Sequence, residues 1–89
     1  MIISREFELL NKTGLHARPA ANLVKALSNF NSDIKIIYNN KEVNAKSFIS
    51  ITSLGIEKGS KITVSINGSD AKEAMQVIEN LVNNRFGEE

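Results

Sequence analysis

Apolar and polar residues alternate as the chain begins. Ile3, Phe7 and Leu9 fall on one face and Glu6 and Glu8 on the other, which predicts a half-buried strand. Arg5 lands on the apolar face, a break that suits a position near a sheet edge. From about Ala17 to Ser28 the period changes. Ala20, Leu23, Val24 and Leu27 recur at i, i+3, i+4 and i+7, the stripe of an amphipathic helix that Asn29 to Ser32 ends. Ile34, Ile36 and Tyr38 then alternate with Lys35 and Ile37 as a second strand. Asn39-Asn40 suits a two-residue hairpin turn, because Asn tolerates positive φ, and Lys41 to Asn44 forms the return strand.

Ala45 to Leu54 reads two ways. Phe48, Ile49, Ile51 and Thr52 suit a strand by propensity. Ser47 can cap a helix, however, with Phe48, Ile51 and Thr52 at helical spacing and Gly55 able to close it. A short helix is expected. Lys58-Gly59 is a turn, and Ile62, Val64 and Ile66 alternating with Thr63 and Ser65 make the clearest strand. Asp70 and Glu73 have the spacing of a capping box before a helical stripe of Ala74, Ile78, Leu81 and Val82. Gly87 and the terminal Glu88-Glu89 are expected to fray. The order is βαββαβα, an α+β arrangement with antiparallel pairing at least at the hairpin.

Composition narrows the function classes. The 89 residues fit a single domain over positions 1–89, and 42% hydrophobic content can supply a core. Eleven basic against ten acidic residues leave a net charge of +1, with no footprint for nucleic acid. The absence of cysteine excludes disulfides and thiolate metal sites and suits a reducing cytoplasm. No signal peptide is visible in Met1 to Glu6, and no apolar run approaches the roughly 20 residues of a membrane span.

Candidate chemistry gathers at His16, the only histidine, within Thr13-Gly14-Leu15-His16-Ala17-Arg18-Pro19-Ala20. Pro is favoured in a first helical turn, where its missing N–H breaks no bond, so His16 is expected at a helix N-terminus. Free N–H groups and the helix dipole welcome an anion there, each contact contributing about 0.3–1 kcal/mol. Neutral imidazole is nucleophilic near physiological pH, and the Arg18 fork can bind two phosphoryl oxygens. A lone histidine supplies too few ligands for a metal, and no metal or other cofactor is expected. No activated Ser or Cys stands beside His16 and no carboxylate lies in its motif, which argues against a hydrolase triad.

Gly14-Leu15-His16-Ala17-Arg18-Pro19-Ala20 resembles the active-site signature of the HPr family, the histidine-containing phosphocarriers of the bacterial phosphoenolpyruvate-dependent sugar phosphotransferase system. Val43-Asn44-Ala45-Lys46-Ser47, running on to Ser53-Leu54-Gly55-Ile56, resembles the family's second signature around a regulatory serine. The likeness spans essentially the whole chain. It implies an open-faced β-sandwich, with a four-stranded antiparallel sheet in order 1-4-2-3 and three helices on one face. It also implies that the chain is a carrier rather than an enzyme. His16 would take a phosphoryl group on Nδ1, the pros nitrogen, from charged enzyme I and pass it to sugar-specific enzyme IIA domains. Arg18 would stabilise the group, with Thr13, Gly14, Ala17 and Pro19 in support.

By itself Ser47 reads as a structural N-cap. The resemblance adds phosphorylation by an ATP-dependent kinase/phosphorylase and a catabolite-control transcription regulator as further partners. Ala20, Phe48, Ile49, Ile51 and Leu54 are expected in an apolar docking patch beside His16, on a monomer used transiently by its partners. The alternatives are a nitrogen-related or purely regulatory paralogue and a small nucleic-acid-binding module. The intact serine motif and His16 argue against the first. Aromatic content of only 6%, with no basic cluster, argues against the second.

Overall fold

The computed structural model describes residues 1–88. Its elements are β1 (Ile2–Glu8), α1 (Ala17–Leu27), β2 (Asp33–Tyr38), β3 (Lys41–Asn44), α2 (Phe48–Thr52), β4 (Lys61–Asn67) and α3 (Ala71–Asn83), followed by a 3-10 turn at Arg85–Gly87. The strands form one antiparallel sheet in the order β1-β4-β2-β3. Asn39 and Asn40 carry φ of 50° and 64°, the left-handed pair that turns β2 into β3 with the twist of the sheet.

Register explains the core. Ile66 of β4 lies opposite Ile3 and Ile34, Val64 opposite Arg5 and Ile36, and Ile62 opposite Phe7. With a side-chain period of two, these rows share one face, and Ile34, Ile36, Ile62, Val64 and Ile66 are buried there. Lys35, Glu6 and Asn67 stay exposed. Onto the apolar face α1 lays Ala20, Leu23 and Leu27, α2 lays Ile51, and α3 lays Ala74, Met75 and Ile78. Fully burying each large aliphatic contributes about 1.5–3 kcal/mol. Arg5 sits in the apolar row on the edge strand β1, and its guanidinium reaches Glu79 of α3 at 2.6 Å, so the charge is paired at the rim of the core.

The ambiguous segment is the helix α2. Ser47 caps it, its Oγ accepting the N–H of Ser50 at 3.3 Å, and Gly55 follows with φ of 64°. With Ile51 fully buried, a five-residue helix is held by the core rather than by its own propensity.

Two terminal expectations are corrected. Asp70 does not cap α3 with its side chain. Its carboxylate turns instead to the loop after α1, accepting the N–H of Asn31 at 2.8 Å, the N–H of Ser32 at 3.0 Å and the hydroxyl of Ser32. Three donors in one loop outcompete the local N–H groups of its own helix. Nor does the tail fray at Gly87 and Glu88. Gly87 lies in the 3-10 turn, Phe86 is buried at the end of the core, and Glu88 is tied to the loop before α1. Glu89 lies outside the described residues.

Candidate functional site

His16 is the N-cap of α1, as its place before Ala17 and Pro19 suggests. The first bond of the helix runs from Ala20 N–H to His16 C=O at 2.9 Å, so the N–H groups of Ala17 and Arg18 precede the helical ladder, and Pro19 has none to lose. Pro19 is buried, while His16, Ala17 and Arg18 are exposed. The first turn therefore anchors through proline and alanine and presents the imidazole and guanidinium outward.

Gly14 fixes the approach. Its φ is 65°, and a Cβ there would stand 2.5 Å from Ile56 O and 2.6 Å from the carbonyl carbon of Glu57. Only glycine accommodates both the left-handed conformation and this contact. Leu15, fully buried, donates its N–H to Ile56 C=O at 3.0 Å. The segment before His16 is thus bound to the chain before β4.

That contact delivers a carboxylate which the motif itself lacks. Glu57 Oε2 stands 2.7 Å from His16 Nε2, with the two side chains 68% and 47% exposed. The partners are 41 residues apart, so periodicity could not have found the pair.

Lys12, Thr13, His16, Ala17, Arg18, Gly87 and Glu88 line an open cleft of about 590 Å³. Lys12 adds a second cation to Arg18, and it was missed because it stands outside the motif. Glu88 accepts hydrogen bonds from Asn11 Nδ2 at 2.9 Å, Thr13 N–H at 3.0 Å and Thr13 Oγ1 at 3.0 Å. The Asn11 bond first, then those of Thr13, with Arg18 nearby, hold its carboxyl below the ordinary glutamate range. Asn11 also donates to Gly14 C=O at 2.7 Å, tying the loop to the glycine turn. Among the described residues, no group of three or more His, Cys, Asp or Glu side chains is brought together as a metal site.

Ser47 is half-buried, and its Oγ also donates to Ser50 Oγ at 2.9 Å. The docking patch separates in two. Ala20 and Ile51 are fully buried and belong to the core, because their stripes are the ones that pack on the sheet. Phe48 (40%) and Ile49 (77%) are exposed on α2, which packs against α1, and Leu54 is half-buried. Leu10, 45% exposed just after β1, is a further apolar surface residue outside the expected patch.

The family model for the PTS HPr component phosphorylation site matches residues 3–84. The chain is similar to HPr-C-His from Thermoanaerobacter tengcongensis at 45% identity and a TM-score of 0.94, with 98% of each chain covered. It is similar to the phosphocarrier protein HPr of Bacillus anthracis at 42% identity and a TM-score of 0.87, covering 91% of this chain and 96% of that one. Crh of Bacillus subtilis, a catabolite repression protein whose crystal structure is a swapped dimer, matches at 35% identity and a TM-score of 0.74. There the coverage is 92% of this chain and 94% of that one. The chain belongs to the HPr family of phosphocarriers of the phosphotransferase system.

Proposed function

We propose that His16 is the phosphoryl acceptor, taking the group on Nδ1 from enzyme I charged by phosphoenolpyruvate and handing it to enzyme IIA domains of sugar permeases. The observation that carries this reading is the placement of the imidazole as N-cap of α1, in a cleft shared with Arg18 and Lys12. Arg18 neutralises phosphoryl oxygens with its fork, and Lys12 supplies a point charge. The N–H groups of Ala17 and Arg18 add dipoles suited to an anion. Thr13, Gly14 and Pro19 hold the frame. The acceptor must not be too stable, since binding phosphohistidine tightly would slow the second transfer.

Ser47 is the proposed regulatory position, a substrate for an ATP-dependent kinase/phosphorylase. Its phosphate would place about two negative charges beside the exposed Phe48 and Ile49. That surface is the proposed docking patch for partner proteins, together with Ala17 and the exposed part of Leu54. The added charge would hinder acidic partner sites and favour a basic regulator such as a catabolite-control transcription factor. We read the chain as a single cytoplasmic domain, active as a monomer. Among the described residues no helix is long and apolar enough to cross a membrane.

The test is a two-step chase. Phosphorylated protein, freed of donor, is mixed with an enzyme IIA domain. The phosphoryl group should move to that domain, and His16→Ala should carry none. Ser47→Asp should slow acceptance from enzyme I, and unchanged kinetics would remove the docking argument. A single sedimenting species at twice the chain mass would replace the monomer reading.

A further inference from the structure

We propose that Glu57 is a positioning residue for His16: its carboxylate holds the ring proton on Nε2 and leaves the lone pair on Nδ1. This rests on the reading of His16 as phosphoryl acceptor. An ionised carboxylate can only accept, so the proton in the 2.7 Å contact lies on Nε2. A neutral imidazole has one N–H, which makes Nδ1 the nucleophilic nitrogen. The distance is that of a charge-assisted hydrogen bond. Among the described residues His16 is the only side-chain partner of Glu57.

The pair is built by the backbone. Leu15 N–H binds Ile56 C=O, and Gly14 lies so close to the Ile56–Glu57 peptide that no side chain fits between them. The residues before His16 and before Glu57 are therefore held together, and the two side chains start from adjacent strips of chain. A surface ion pair thrown together by two long side chains would have no such seat.

The arrangement serves both directions of transfer. In acceptance, the Nδ1 lone pair forms the N–P bond while the donor's bond to phosphorus breaks, its electron pair leaving with the donor atom. The ring keeps its Nε2 proton and becomes a phosphoimidazolium, its positive charge facing the Glu57 carboxylate. In donation, the N–P electron pair returns to Nδ1 as the phosphoryl group bonds to the acceptor. A cationic ring releases that pair more readily than a neutral one. No proton need leave Nε2 in either step, so a single carboxylate supports a reversible carrier.

The experiment compares wild type, Glu57→Ala and Glu57→Asp, each unphosphorylated and labelled with 15N. Proton–nitrogen correlation spectra of the His16 ring are recorded at a pH where its own titration shows it neutral. Wild type should give distinct bare-Nδ1 and protonated-Nε2 signals. Glu57→Ala should move both toward the average of two tautomers, and Glu57→Asp should restore part of the difference. Acceptance from enzyme I should slow about fivefold in Glu57→Ala, the scale of one exposed charged contact. Ring signals identical in wild type and Glu57→Ala would overturn the proposal even if transfer slowed. A tautomer shift with no phosphorylation of either protein would uphold the orienting role and overturn the carrier reading of His16.

Discussion

The loop entering α1 and the loop leaving it are held by the same device. Each contains a buried polar residue, Asn11 in one and Ser32 in the other. Each is clamped by a carboxylate far along the chain, through a backbone N–H and a side-chain donor. Glu88 holds Asn11 and Thr13, and Asp70 holds Asn31 and Ser32. Both carboxyl groups are drawn below their ordinary range, Asp70 chiefly by the Ser32 hydroxyl and Glu88 chiefly by Asn11. The difference lies in what stands beside them. Glu88 shares its cleft with His16, Arg18 and Lys12, and the Arg18 charge helps lower its carboxyl, whereas among the described residues no charged side chain contributes to the lowering at Asp70. One clamp is structural. The other is structural and also places a carboxylate in the cleft that His16 lines.

Substitutions that separate the two roles follow, from the largest effect to the smallest. His16→Ala should abolish phosphoryl acceptance and leave the fold intact, because the exposed N-cap side chain makes no capping bond. Unaltered circular dichroism and urea midpoint check the second half of that statement. Gly14→Ala should damage both at once. It forces a Cβ against Ile56 O at a φ of 65°, at a cost of about 2–4 kcal/mol in urea unfolding, and it displaces the loop that seats Glu57.

The paired test is Asp70→Asn against Glu88→Gln. Each carboxylate titrates lower in the folded protein than in the unfolded chain. Its stabilisation is thus fully present at neutral pH and is lost as the pH falls from the ordinary carboxylate range through the lower folded value. Each variant should lower the urea midpoint at pH 7 and flatten its fall under acid. Only Glu88→Gln should alter transfer. Removing a negative charge from the cleft should quicken acceptance about twofold to fivefold. Equal transfer rates in both variants would erase the distinction between the clamps. Smallest of all, Arg5→Gln breaks an exposed pair with Glu79 and should change stability by at most about 1 kcal/mol, with transfer untouched.

The same contrast explains what could be read from the residues alone. Strands and helices were legible because each depends on neighbours two to four positions away. The segment after Ala45 was balanced between strand and helix, and the cap at Ser47 with the burial of Ile51 decides it. The order β1-β4-β2-β3 followed from the resemblance, since alternation gives a strand's buried face but not its neighbours. His16, Arg18 and Pro19 were legible because one helical turn positions them. Glu57, Glu88 and Asp70 were not, because their partners lie 41, 75 and 38 residues away. The tail looked like a polar end until Phe86 entered the core and set Glu88 against Thr13. Ala20 and Ile51 fit both the expected docking patch and, by their spacing, a core-facing stripe, and the core takes them.

The most direct test of the central claim is the intact mass of the protein after incubation with phosphoenolpyruvate and enzyme I, before and after acid treatment. The account predicts one added phosphoryl group, lost in acid, stable in base and absent from His16→Ala. No added mass in the wild type, or an added group that survives acid or persists in His16→Ala, would contradict it.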